Sequence, residues 1–313
     1  MIKRSEVPVL IIGYQRTESV ARILESALSN AVTQVFISID APKLTDESSS
    51  KNWMELRKIA RTYEEKFDYF QCRFLDTNLG CALHVLSSID WAFETVDNLI
   101  ILEDDCIPSR DFFQYAIDGL QIMQQQPEVV LVCGTQLIPS DMSPEPYFKS
   151  KYSLTWGWAT SKDCWEEIKI GMRSSGLNRS LHLLCFDVER IYWHEGSRRA
   201  YDGFVDVWDT PLVNYLQTSQ KFSLLPRENL ITNIGNDSLA THTSGPNIWL
   251  LKQTGAYTSQ PLLRANHNLL GDEWLARNFY QIRFRHLLTT RFTRLRDSFK
   301  KASRERLLIR WSK

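Results

Sequence analysis

The chain lacks a net charge: 37 Lys and Arg balance 37 Asp and Glu. No overall basic character marks it for nucleic acid, and no nucleic-acid partner is expected. It also lacks any stretch near the roughly 18 apolar residues of a membrane span. The opening "MIKRSEVPVLIIG" has a basic start, but its apolar run is too short for a secretory signal and reads as a first strand. The six cysteines are scattered singly, with no CxxC, so nothing resembles a small disulfide scaffold. They read as reduced, buried thiols of a cytoplasmic protein. There is no GxGxxG and no P-loop, which removes dinucleotide oxidoreductases and NTPases. The absence of HExxH and GxSxG weakens zinc protease and esterase readings. No internal repeat and no low-complexity tract is present.

What remains is 313 residues, 43% apolar and 24% charged, an ordinary globular composition able to bury a large core. The charge is unevenly placed. Residues 271–313 hold twelve Lys and Arg against four Asp and Glu, a net +8, which leaves −8 on residues 1–270.

Apolar runs and helical periodicity alternate over the first 134 residues. Strands are predicted at 7–13, 34–40, 70–76, 99–102 and 128–134. Helices are predicted at 17–30, 46–67, 80–96 and 109–125. The order implies a mostly parallel central sheet with helices on both faces, because strands covered on both sides read as continuous apolar runs. Beyond residue 140 the order becomes irregular.

In such a sheet, ligands bind beyond the carboxyl ends of the strands. The first strand ends in Tyr14-Gln15-Arg16, the second in Asp40, the third in Asp76-Thr77-Asn78. The fourth, "LIIL", runs directly into Glu103-Asp104-Asp105. Three adjacent carboxylates at a strand end are costly without a cation. Hard oxygen ligands select Mg²⁺ or Mn²⁺, and such ions take one or two carboxylates plus substrate phosphates. The alternative is that these acids merely flank the next helix. Asn78 and Gly80, at the start of the third helix, are positioned to offer backbone N–H groups to a nucleotide. His84, further into that helix, reads as a packing or surface residue.

The segment "ILEDDCIPSRDFFQYA" resembles the metal-binding segment of GT-A glycosyltransferases, most closely the animal N-acetylglucosaminyltransferase I type, with its acidic triplet followed by "DFF". The opening "VPVLIIGYQRTESVARILESAL" is similar to that group's first strand and helix. The resemblance covers roughly residues 7–243. It implies a GT-A fold and a nucleotide-sugar donor, with a UDP-sugar favoured. By its motifs, Arg16 and Asp40 serve the nucleotide. Asp105 binds Mn²⁺ or Mg²⁺ on the diphosphate, supported by Glu103 and Asp104.

In the second half, "SLTWGWATSKDCWEEI" places Gly157 between Trp156 and Trp158. Aromatic faces suit sugar rings and glycine admits backbone close to a ligand. A buried aromatic patch before a helix capped by Ser161 is the alternative. In "DVWDTPLVNYLQ", Asp209 either caps a helix, with Pro211 in its first turn, or serves as the base, as the family's "WD" pair implies. Asp206 is the second candidate base. His242, in "NIGNDSLATHTSG", matches a family histidine on the metal or diphosphate.

The expected enzyme is an inverting glycosyltransferase acting on a glycan or lipid-linked acceptor. A sugar nucleotidyltransferase and a non-catalytic carbohydrate-binding protein are the alternatives. Residues 1–245 are expected to form the catalytic domain, 1–134 as its nucleotide half and 135–245 as its acceptor half. Residues 246–313 form an extension ending in a basic helix. Its Arg283, Arg285, Arg291, Arg294 and Arg296 are expected to touch anionic lipid at the inner membrane surface, with Phe284, Leu287, Leu288, Phe292, Leu295 and Phe299 as the apolar face of an interfacial helix; the alternative is that the helix docks on the acidic body through that same face.

Overall fold

The computed structural model describes residues 7–43, 47–143, 145–177, 187–235, 249, 252–259, 264–284, 286, 293, 296 and 297. His242, Cys185 and most of the basic tail lie outside them.

The first part of the chain runs β1 (Val9–Gly13), α1 (Thr17–Ser29), β2 (Gln34–Ile39), α2 (Glu47–Tyr63), β3 (Tyr69–Phe74), α3 (Cys81–Phe93), β4 (Asn98–Glu103), β5 (Cys106–Pro108), α4 (Phe112–Gln125) and β6 (Val129–Cys133). Then follow β7 (Tyr147–Ser150), β8 (Trp158–Ser161), α5 (Lys162–Leu177), α6 (Val188–Tyr201), α7 (Asp209–Ser219), β9 (Phe222–Pro226), β10 (Ile231–Asn233) and α8 (Leu269–Trp274).

Eight strands form one sheet in the order β3-β2-β1-β4-β8-β6-β9-β7, while β5 and β10 pair separately. β1 pairs in parallel with both β2 and β4, and β6 with β9. Only β8 and β7 run against the rest. This is the α/β class expected, mostly parallel, with helices on both faces. Alternate residues of β1 show why. Val9 and Ile11 join one core with Ile23 of α1, Leu56 of α2 and Phe113 of α4. Leu10 and Ile12 join a second core with Val85 of α3, Trp165 of α5 and Leu212 of α7. Each such fully buried aliphatic side chain contributes about 1.5–3 kcal/mol. A strand so placed has no polar face, which is why the apolar runs are continuous.

Three details differ from the sequence reading. The helix expected from 109 begins at Phe112, because Cys106–Pro108 first pairs antiparallel with Ile231–Asn233. The helix expected to reach 67 ends at Tyr63, where a 3₁₀ turn takes over. β8 is wedged between β4 and β6, so strands from both halves of the chain build one sheet. Ser161 does cap α5: its Oγ accepts the Cys164 N–H at 3.3 Å.

The extension is fastened to the body by charge. Arg198 of α6 is buried, with Nη1 2.7 Å from Asp202, Nε 3.1 Å from Glu195 and Nη2 3.0 Å from Asp297. Asp297 is itself buried and also meets Arg199. Arg198→Met is expected to remove the buried cation that Glu195, Asp202 and Asp297 share and to cost about 3–5 kcal/mol, read by chemical denaturation.

Candidate active site

The strand order turns at β1. The chain winds to β3 on one side and then resumes with β4 on the other, and ligand clefts open at the carboxyl ends of strands at such a reversal. A cavity of about 560 Å³ lies there. Its wall includes Ile12 to Arg16 at the end of β1, Asp40 after β2, Asn78, Gly80 and Cys81 at the start of α3, and Glu103 to Asp105 at the end of β4. Trp156 and the Asp206–Asp209 segment close the other side. The acids at the end of β4 and the Trp208-Asp209 pair, about a hundred residues apart in sequence, thus share one cavity.

Not all of these acids are available to a ligand. Asp104 turns back into the fold. Its Oδ2 accepts the backbone N–H of Tyr14 at 2.8 Å and those of Gln15 and Arg16 at 3.4 Å, and its Oδ1 meets Arg16 Nη1 at 3.0 Å. It shapes the turn after β1 and orients Arg16. Asp40 is similarly engaged by the N–H groups of Leu79 (2.9 Å) and Gly80 (3.0 Å) and by Asn78 Nδ2 (3.2 Å). Burial holds its carboxyl above the usual range, against those amides. Asp206 accepts the N–H groups of Cys81 (2.9 Å) and Ala82 (3.0 Å), at the positive end of the α3 dipole. Asp206 is therefore a cap for α3. The amides of the 79–82 turn already carry carboxylates of this chain, Asp40 and Asp206, so the N–H groups that the sequence reading offered to a nucleotide here are engaged within the fold.

Gly80 makes the turn possible. Its φ is 79° and ψ 176°, a region essentially reserved for glycine, and a Cβ there would collide with Asp206 Oδ2. Gly80→Ala is expected to cost about 1–3 kcal/mol, and thermal melting should show it even without ligand.

Asp105, Glu103 and Asp209 are the remaining acids. Burial first, then Asp105, Asp104 and Asp209, push the Glu103 carboxyl well above the ordinary carboxylate range; a hydrogen bond from Trp208 partly offsets this. Trp208 is buried and stacked on Trp158, with centroids 5.5 Å apart. Asp105 is raised by burial and by Asp104, with Cys106 and Arg16 opposing. Its Oδ1 accepts the Cys106 thiol at 3.1 Å, and its carbonyl accepts the Ile234 N–H at 2.9 Å. Gly235 lies so close that a Cβ there would collide with Asp105 Oδ2. Asp209 is exposed, opens α7 as expected of a capping or presenting position, and accepts the Thr210 N–H at 2.7 Å.

Trp156 lines the cavity and is buttressed edge-on by Phe279 of the extension, at 6.2 Å. Gly157 lies behind that wall. Its missing side chain makes room for Ile231 and Leu102, so its glycine serves packing.

The cavity wall carries six acids against two bases, Arg16 and Lys43. A nucleoside diphosphate would be repelled from such a wall, and a divalent cation reverses the sign where it is needed. Among the described residues no group of three or more His, Cys, Asp or Glu is arranged to hold a metal. The donor set fits an ion of the Mg²⁺ type, for which one or two carboxylates suffice when phosphates and water complete the shell.

No protein-family model and no curated protein matches the chain. Among solved structures, a UDP-glucose pyrophosphorylase complexed with UDP-glucose is similar over 70% of this chain and 90% of its own, at 8% identity and a TM-score of 0.37.

Sequence reasoning missed Cys81, His84, Asn233 and Gly235 as parts of this wall. His84 and Ser88 stand four apart on an otherwise apolar helical face, and that pair was the available signal. Asn233 and Gly235 reach the site only through the three-residue pairing of β10 with β5. None of the five described cysteines is in a disulfide, and no described helix is long and apolar enough to cross a membrane.

Proposed function

We propose that the protein is a metal-dependent glycosyltransferase that moves a sugar from a nucleoside-diphosphate sugar to an acceptor hydroxyl with inversion. The observation that carries this reading is the shared, acid-rich cavity that Glu103, Asp105 and Asp209 all line.

Asp209 is the general base. It is exposed, and its place at the first turn of α7 fixes the carboxylate. It takes the proton from the acceptor hydroxyl as that oxygen attacks the anomeric carbon. Arg16, aligned by Asp104, meets the donor's anionic part. Asp40 acts on the nucleotide indirectly, by holding the 78–80 turn. Trp156 offers an apolar face to a sugar ring. Mn²⁺ or Mg²⁺ would be held through Asp105, with Glu103 and His242 as further donors, and would supply charge neutralisation for a leaving diphosphate.

The nucleotidyltransferase alternative needs backbone N–H groups after the first strand to cradle a triphosphate. Here the amides of Tyr14, Gln15 and Arg16 are already taken by Asp104. Incubation with a panel of nucleotide sugars and Mn²⁺ tests the reading. Release of a free nucleoside diphosphate supports a glycosyltransferase. Pyrophosphate-dependent formation of a nucleoside triphosphate contradicts it, and no turnover at all points to a binding protein.

The acceptor is taken to be a glycan or a lipid-linked saccharide. Peripheral contact of the basic tail with anionic lipid belongs to the same reading. The full chain is expected to sediment with phosphatidylglycerol vesicles at low salt and to be released by high salt; no sedimentation at low salt would remove the membrane contact.

A further inference from the structure

A general base must touch the acceptor hydroxyl, and in an inverting displacement the acceptor enters on the side away from the leaving group. Whatever holds the rest of the acceptor therefore stands beside Asp209 and outside the wall that serves the donor. Tyr192 of α6 meets both conditions. Gly196, one turn further along the same face of α6, packs on the start of α7, where a Cβ would collide with Thr210 Cγ2. The missing side chain lets α6 come up against α7 and brings Tyr192 toward Asp209. Tyr192 is not part of the donor cavity's wall.

The Tyr192 ring is half-buried and held by Trp193 (centroids 5.1 Å apart, 89° between planes) and by His286 of the extension (5.1 Å, 69°). Its hydroxyl has no hydrogen-bond partner among the described residues and is not sealed from solvent. Burial, then the charge of Asp209, raise this phenol above its ordinary range, so at neutral pH it keeps its proton to donate. From Tyr192 the rings run back to the cavity. Trp193 meets Tyr280 at 4.7 Å, Tyr280 meets Phe279 at 4.7 Å, and Phe279 stands edge-on to Trp156 of the cavity wall. A π-helical turn, Leu275–Phe279, places Phe279, and Gln281 just beyond it has a φ of 51°, uncommon for a residue other than glycine. The extension thus departs from regular helix where its rings reach the wall.

We propose that Tyr192 is an acceptor-binding residue, whose hydroxyl hydrogen-bonds a hydroxyl of a saccharide acceptor next to the one that Asp209 deprotonates, in a subsite framed by α6 and the extension. The inference rests on the glycosyltransferase reading, with Asp209 as base. A saccharide suits this place because it joins apolar C–H faces, which rest on aromatic rings, to closely spaced hydroxyls within reach of a phenol.

Tyr192→Phe keeps the ring and removes only the hydroxyl. That hydroxyl bonds nothing among the described residues, so a packing role predicts no effect of the change. Wild type and variant are assayed with a panel of nucleotide sugars, Mn²⁺, and the methyl glycosides of glucose, galactose, mannose and N-acetylglucosamine as acceptors. For the best acceptor, Tyr192→Phe is expected to raise the acceptor KM about 3- to 10-fold, the usual weight of one neutral hydrogen bond, and to leave the donor KM unchanged. The monodeoxy analogue of that acceptor lacking the partner hydroxyl should show the same KM with both proteins. An unchanged acceptor KM, an equal rise in both KM values, or the same loss with every deoxy analogue overturns the proposal and leaves the transferase reading standing. So does a wild type that hydrolyses a donor but transfers to none of the glycosides. A wild type that neither hydrolyses nor transfers overturns the reading of the cavity and this inference with it.

Discussion

Asp209→Asn is expected to lower sugar transfer by roughly 10²–10⁴-fold, the usual contribution of a general base, while donor affinity stays near wild type. The two effects separate because the change is nearly isosteric and the base acts on the acceptor's proton. The substituted amide would retain an oxygen for the Thr210 N–H, which Asp209 accepts at 2.7 Å, so α7 should start unchanged. The variant should also relieve part of the repulsion that raises Glu103, since Asp209 is one of its causes. Steady-state kinetics with a saturating donor, beside calorimetric donor affinity, give the comparison. Wild-type kcat in this variant would remove Asp209 from the mechanism.

Asp105→Asn should have the second large effect, and in two opposite directions. Without metal, the folded chain disfavours ionised Asp105, because burial and Asp104 raise its pKa. A carboxyl whose folded pKa lies above its unfolded value contributes stability that is present below the unfolded value and is lost as pH rises through the folded one. At pH 8 without metal the variant is therefore expected to melt higher than wild type, by about 2–4 °C for each kcal/mol relieved. The gap should close as pH falls toward the ordinary carboxylate range. With Mn²⁺ the order reverses: wild type gains a ligand-bound state that the variant lacks. Transfer should fall on the order of 10²–10³-fold, since a metal's stabilisation of developing charge is worth several kcal/mol. Equal Mn²⁺-induced shifts of the melting temperature in both proteins would remove Asp105 from the metal site.

β1 and β4 were legible because they are buried on both faces. Val9–Gly13 and Leu99–Leu102 contain no polar side chain to suggest anything else. The second half was harder. β8 is only "WATS", half polar, and its place between β4 and β6 follows from a reversal of direction that no local pattern encodes. β5 and β10 span three residues each, and each needs a partner more than a hundred residues away. At the site, the sequence placed the acids at the correct strand end but could not say how each is used. Asp104 closes on amides ninety residues earlier, and Asp206 on amides 125 residues earlier. A capping carboxylate and a ligand-binding one are identical in sequence, and only the donors folded around them tell them apart. His84 was hidden for the same reason, since its Nε2 partner lies on another strand.

Calorimetric titration of the full chain with UDP-sugars, with and without Mn²⁺, bears most directly on the acid-rich cavity. The account expects tight association only when the cation is present, and its loss in Asp105→Asn. Association of equal strength in excess chelator, or a Mn²⁺-dependent affinity that Asp105→Asn leaves unchanged, would contradict it.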